Sequence, residues 1–249
     1  RIPDKDMNIY PGSYVIPKDE LQIFYKLYYD SVFEKSRKEY LTERQMDNGS
    51  SPLAVDFDFR YDFDIDKRQH TKEHVQDMIS VYLEELKNYF SFEKDKPFDI
   101  YIFEKPNVNR LADKSFTKDG IHMIIGLQMD HVMQVMLREK MISKLADVWE
   151  LPFVNTWDKI LDDGISKGTT NWQMYGSRKP GHEAYELTQH YVITYDTADG
   201  EFMMDELKAS DFDLKKNYSK LSVQYEGNPR FEMNEKIKEE YNKRSENRG

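Results

Sequence analysis

The sequence predicts an α+β, or mixed α/β, domain in which a central mixed or antiparallel sheet is flanked by helices. Three observations carry this. Between Val55 and Asp66 apolar and charged residues alternate strictly, which is the period of a strand. The stretches 74–92 and 130–150 repeat apolar residues at helical spacing. Short runs at 98–103, 121–125 and 186–195, rich in β-branched and aromatic side chains, read as further strands between and after those helices. No internal repeat, low-complexity tract or clear linker interrupts the pattern, so one domain of catalytic size is expected.

Taken in order, residues 1–17 carry Pro3, Pro11, Gly12 and Pro17 and read as an irregular arm. Residues 18–35 place Leu21, Phe24, Leu27, Tyr28 and Phe33 on one side of an amphipathic helix. The polar turn Asp47, Asn48, Gly49, Ser50, Ser51, Pro52 delivers the chain into the acidic strand 53–66. Val75, Met78, Ile79, Tyr82, Leu83, Leu86, Tyr89 and Phe90 then mark the helix 74–92. After the strand 98–103 comes a basic loop, 104–119, with Lys105, Arg110, Lys114 and Lys118, and then the strand 121–125. Val132, Val135, Met136, Met141, Leu145 and Val148 form the inner stripe of the helix 130–150, and are core rather than cofactor contacts. A short helix at 155–161, a strand at 171–175, a turn at 176–181 and the strand 186–195 follow. Beyond Asp205 the chain is highly charged, with an exposed helix or frayed tail at 234–246. The expected layout is thus residues 1–52 as an arm and helix of the same domain, 53–205 as the core, and 206–249 as a charged C-terminal segment, either a solvated helix or a linker.

The 249 residues suffice for a proper core, and the absence of cysteine excludes disulfides, thiolate zinc sites and cysteine nucleophiles. It is compatible with a reducing compartment. No apolar run has the length of a membrane span and no signal peptide is visible, so no membrane partner is expected. The chain opens on Arg1 without an initiator methionine and is expected to be a piece of a longer protein. The dipeptide Gly-Lys does not occur, which excludes a phosphate-cradling motor loop. A net charge of -10 counts against a simple nucleic-acid binder, unless cations neutralise the acidic cluster and basic residues elsewhere form a groove.

The acidic strand concentrates that charge. Val55, Phe57, Phe59, Tyr61, Phe63 and Ile65 share one face, and Asp56, Asp58, Arg60, Asp62, Asp64 and Asp66 the other. Asp is a poor strand former and a row of carboxylates repels itself, so either the face is merely solvated or a divalent cation holds it. Side chains two apart on a strand lie roughly 6 to 7 Å from each other, close enough for Asp56 and Asp58 to grip one or two ions. A calcium loop built on Asp62, Asp64, Asp66 and Glu73 fails, because its sixth position needs glycine and holds Lys67.

Three further places stand out. Lys118, Asp119, Gly120, Ile121 and His122 put a glycine and a histidine at the mouth of a strand, where the histidine is either a ligand contact or a hydrogen-bonded edge residue. Asp162, Asp163 and Gly164 form an acidic pair that on its own reads as a cap or turn, and the turn from Tyr175 to Lys179 carries Arg178 and Lys179. In this order, with Val55-Asp56-Phe57-Asp58 first, the set resembles the three motifs of the archaeo-eukaryotic primase (AEP) superfamily. It is closer to the primase domain of primase-helicases of large DNA viruses and to primase-polymerases. Tyr40-Leu41-Thr42-Glu43 and residues 52–61 look like the viral branch, and the resemblance covers residues 10–196.

The resemblance implies an AEP-type catalytic core at 53–205 that makes primers on a single-stranded DNA template from nucleoside triphosphates. Asp56, Asp58 and Asp162 would hold two magnesium or manganese ions, with Asp162 preferred to Asp163. His122, Lys118, Gly120, Lys179, Arg178 and Arg60 would meet the nucleotide, with glycine at 120 where serine is frequent in the family. Gln173 stands where an arginine often faces the triphosphate, and Arg178 or Arg60 is the expected substitute. Arg60 is otherwise expected to pair with an aspartate. A helicase on the same polypeptide and action inside an infected host cell are also implied. Two other classes remain: a metal-dependent nuclease or phosphohydrolase, with His122 as its candidate base, and a non-catalytic domain whose acidic strand binds cations.

Overall fold

A computed structural model describes residues 1–45 and 50–248. Its elements in chain order are α1 (Leu21–Tyr29), β1 (Thr42–Glu43), β2 (Ser50–Asp62), α2 (Lys72–Leu86), β3 (Phe90–Ser91), β4 (Phe98–Glu104), β5 (Asn109–Arg110), β6 (Phe116–Asp130) and α3 (His131–Val148). There follow α4 (Trp157–Ile160), α5 (Asp163–Lys167), β7 (Trp172–Gln173), β8 (Glu186–Asp196), β9 (Glu201–Leu207), α6 (Leu214–Asn217), β10 (Glu232–Met233) and α7 (Glu235–Arg248). The main sheet has six strands, in the order β2-β6-β4-β8-β9 with β5 also on β6, and its pairings are antiparallel. The α+β class expected from the sequence is therefore the one observed. Among the described residues no helix is long and apolar enough to cross a membrane.

β2 tolerates its aspartates because its other face is completely dry. Phe57, Phe59 and Tyr61 are each 0% exposed and pack with Val75, Met78, Ile79 and Leu86 of α2 and Met136, Met141 and Leu145 of α3. Burying each such ring contributes about 1.5–3 kcal/mol, against a strand-propensity range of only about 1 kcal/mol. On the opposite face a second, smaller layer covers one end of the sheet: Ala54, Tyr101, Phe103 and Ile124 lie under Ile165, Trp172, Leu221 and Val223. Burial along β2 accordingly falls from Ala54, through the half-buried Asp56 and Asp58, to the exposed Arg60 and Asp62. The carboxylates stand at the margin of this cover.

Several expectations change in detail. The acidic strand stops at Asp62, because Ile65 N–H turns back to the Asp62 carbonyl and Thr117 Oγ1 donates to the Ile65 carbonyl. Asp64 and Asp66 therefore lie outside it. The second helix ends at Leu86, since Phe90 and Ser91 leave it to pair with Met233 and Glu232. The third strand is longer than expected and begins at Phe116, which takes Lys118 and Asp119 out of the basic loop and onto β6. Of the α3 stripe, Val132, Met136, Met141 and Leu145 are buried, Val135 is half-buried and Val148 is exposed. The 155–161 helix and the 171–175 strand shrink to α4 and β7. The turn predicted around Asp47, Asn48 and Gly49 lies outside the described residues, and Ser50, Ser51 and Pro52 begin β2.

The charged segment from 206 onward is more than a tail. Tyr218, Leu221, Val223, Phe231 and Ile237 are buried, and Arg244 of α7 forms an ion pair with Glu139 of α3 at 2.6 Å. Its apolar residues are sparse but aimed inward, a spacing that its surplus of charge obscures.

Candidate active site

β2 is the edge strand of the sheet, and an edge exposes unpaired backbone groups that need covering. The segment 154–162 covers it. Val154 N–H donates to the Arg60 carbonyl at 2.8 Å, Asn155 Nδ2 to the Asp58 carbonyl at 2.9 Å, and Asp162 N–H to the Asp56 carbonyl at 3.0 Å. Arg138 of α3 fastens this strip from outside, donating to the Leu161 carbonyl at 2.9 and 3.1 Å and to the Asp158 carbonyl at 2.8 Å. Asp162 then caps α5, one of its oxygens accepting from Ile165 N–H at 2.7 Å.

Three carboxylates from two distant parts of the chain are thereby gathered. Asp56, Asp58 and Asp162 each offer one oxygen such that all three lie within 4.8 Å of one another, a spacing that could hold a metal ion. Asp163 points elsewhere, to Lys167 at 2.6 Å and Arg138 at 3.7 Å. Burial and the Asp56 carboxylate push Asp58 up to about 6. Asp162 is raised as well, by burial and by Asp56 and Asp163 beside it, against its hydrogen bond from Ile165. Asp56 Oδ1 is buried without a hydrogen-bond partner, although His122 Nε2 lies 3.3 Å away. An unpaired buried oxygen within a group of mutually repelling carboxylates fits a divalent cation bound through hard oxygen ligands.

β6 supplies the opposite wall in register: His122 faces Asp56, Gly120 faces Asp58 and Lys118 faces Arg60. The His122 ring stacks on Tyr185 at 3.7 Å between centroids and leans on Trp172 at 4.3 Å. Only 6% of the residue is exposed, and its Nε2 is turned toward the carboxylates. Glycine at 120 is required by the packing: a Cβ would come within 2.8 Å of the Phe57 carbonyl and 2.9 Å of the Tyr185 hydroxyl. Trp172 is held from behind by Glu43, its partner in the β1–β7 ladder. Glu43 accepts from Ser222 Oγ at 2.7 Å and Val223 N–H at 3.0 Å, and its burial raises it to about 7.

The remaining predicted residues divide. Lys118 stands close enough to Asp58 to lower its pKa against the other influences, and Lys118 and Lys179 both act on Lys105 and His182. Arg60 forms no ion pair with an aspartate among the described residues, which corrects that expectation; its guanidinium leans over Phe116 at 5.6 Å instead. Arg178 is tied by its backbone to the Glu39 carbonyl, and its Nε is buried without a partner. Gln173, beside His122 and Trp172 in a small pocket, likewise buries an unpartnered Oε1. Ser177 anchors the turn, sharing a 2.7 Å hydrogen bond with Tyr28. Sequence reasoning missed Trp172, Tyr185 and His182. Their only sequence signal is proximity to the Arg178–Lys179 turn, since nothing local reveals that 172–185 folds over the start of β6.

Residues 4–191, about three quarters of the chain, match the family described as the C962R protein N-terminal AEP domain. No curated protein matches the chain.

Proposed function

Because the chain belongs to this family of archaeo-eukaryotic primase domains, whose members are primase-like nucleotidyltransferases that engage DNA and nucleoside triphosphates, we propose that it synthesises primers on single-stranded DNA by template-directed transfer. The observation that carries the reading is the convergence of Asp56, Asp58 and Asp162 opposite His122 and Lys118. The three aspartates would hold two divalent cations, magnesium or manganese, which when bound lower the pKa of the attacking 3′-hydroxyl and neutralise the leaving pyrophosphate. The chain's own residues supply position and charge. Lys118 and Lys179 draw the triphosphate toward the carboxylates, and the Nε2 edge of His122 meets it there. Tyr185 and Trp172 hold that ring in one plane, so it costs no reorganisation on binding. No protein nucleophile is needed, because the nucleotide's own chain provides it. A helicase on the same polypeptide and a viral replication setting accompany this proposal.

Incubation of the chain with manganese, a single-stranded template and labelled nucleoside triphosphates tests it. Longer product supports the proposal. Shortened template without consumption of triphosphates assigns a nuclease instead, and no change in either assigns a cation-binding interaction domain.

A further inference from the structure

Resting on the nucleotidyl-transfer reading, we infer that Lys105 is a phosphate ligand, the third lysine of one polyanion site with Lys118 and Lys179. It lies two residues past Phe103, which is paired with His122, at the point where β4 ends beside the mouth of β6. Its ammonium sits 5.2 Å from the centroid of the Tyr185 ring, the same ring that stacks on His122. The lysine therefore borders the catalytic histidine across a single aromatic side chain.

The backbone beneath it is fixed. The Lys105 carbonyl accepts from Arg68 Nη2 at 2.7 Å, and Arg68 grips both oxygens of Asp119 at 2.9 Å. Asp119 lies between Lys118 and Gly120, so one half-buried guanidinium ties the strand ends that carry two of the three lysines. His70 and Thr188 complete the network by bonding the Glu104 carboxylate at 2.6 and 2.5 Å. On the other side, Asn107 holds Glu183 through two hydrogen bonds, at 3.1 and 2.8 Å, which pins the loop after Lys105 to the segment bearing Lys179 and His182.

None of the three lysines forms a salt bridge among the described residues, in a chain whose acidic residues outnumber its basic ones by 46 to 36. The carboxylates that act on Lys105, Glu183 and Asp119, are taken up by Asn107 and Arg68, while Lys179 and Lys118 act against it, and Lys105 is half-buried. Repulsion from Lys179 and Lys118 on the half-buried Lys105 is unfavourable until an anion of matching charge arrives. A triphosphate has that charge, and the aspartates next door would take the cations that accompany it.

Binding of inorganic triphosphate, of a nucleoside triphosphate and of the bare nucleoside is to be measured, in manganese, for the parent chain and for Lys105→Ala and Lys105→Arg. Charge-assisted contact with phosphate predicts that Lys105→Ala weakens both triphosphates about 10- to 100-fold. Lys105→Arg should recover most of this. Binding of the nucleoside, and of manganese alone, should stay at the parent level. Unchanged triphosphate affinity in Lys105→Ala overturns the inference, as does an equal loss for the nucleoside, which would mark Lys105 as a support for Tyr185. Lysine-dependent triphosphate binding by a chain that makes no product refutes the polymerase reading while leaving this one standing. Product formation with an unaltered nucleotide KM in Lys105→Ala does the reverse.

Discussion

Replacing Asp58 by Asn should steady the metal-free fold at alkaline pH while destroying its function. Burial and the adjoining Asp56 carboxylate raise Asp58 from 3.8 to about 6, so the fold tolerates its protonated form and resists its charged one. The contribution of the neutral form is fully present below 3.8 and is lost as the pH climbs through about 6. That interval corresponds to ~3 kcal/mol at pH 8; because solvent still reaches the half-buried side chain, we halve it to ~1.5 kcal/mol. For a chain of this size the gain is about 3–6 °C in Tm. The assay is thermal unfolding in chelator at about pH 8 and about pH 4.5. The Asp58→Asn variant should melt higher at the alkaline end, and the two proteins should converge toward the acidic end. Manganese should then reverse the order by stabilising the parent alone. A variant that melts below the parent in chelator at alkaline pH, or a gap that does not narrow with acid, would refute the picture of crowded, repelling carboxylates.

Three further outcomes follow from the same geometry. Asp56→Ala and Asp162→Ala should each abolish nucleotide incorporation and the manganese-induced rise in Tm; residual incorporation above about 1% of the parent rate would remove that residue from the metal set. Burial raises Glu43 to about 7, so its contribution too is complete below 4.5 and lost as the pH rises through about 7. The Tm of the metal-free Asp58→Asn chain should therefore still fall between about pH 5 and 8, and a rising Tm over that interval would contradict it. Arg138→Ala strips the Leu161 and Asp158 carbonyls of their donor, at a cost of about 1–3 kcal/mol. It should weaken manganese binding although Arg138 is not a ligand, and isothermal titration giving the parent affinity would show that the strip keeps its place unaided.

The acidic strand was the most legible part of the chain, because alternation at 55–62 fixes which side chains share a face, and Asp56 and Asp58 follow directly. Helices α2 and α3 were legible for the same reason, through their apolar stripes. What local pattern could not reveal was long-range pairing. Phe90 continues the helical stripe, yet with Ser91 it leaves the helix because Met233 and Glu232 offer them a ladder. Asp162 reads as a cap from its neighbours, and it is a cap; its place beside Asp56 depends on a backbone hydrogen bond across the sheet edge that only the folded chain contains. Trp172, Tyr185 and His182 had no periodicity to announce them. Arg60 was expected either to meet the nucleotide or to pair with an aspartate, and the pairing does not form because Phe116, brought opposite Asp62 by the β2–β6 register, takes its guanidinium instead.

The strip 154–162 protects the rim of β2 from sticking to other molecules and, through the same main-chain bonds, delivers the third acid. Those two jobs cannot be separated. A foreign peptide that added itself as a new strand along β2 would evict the strip and carry Asp162 away from Asp56 and Asp58 without entering the cleft. Inhibition of this domain therefore has a route that mimics no nucleotide: competition for a sheet edge.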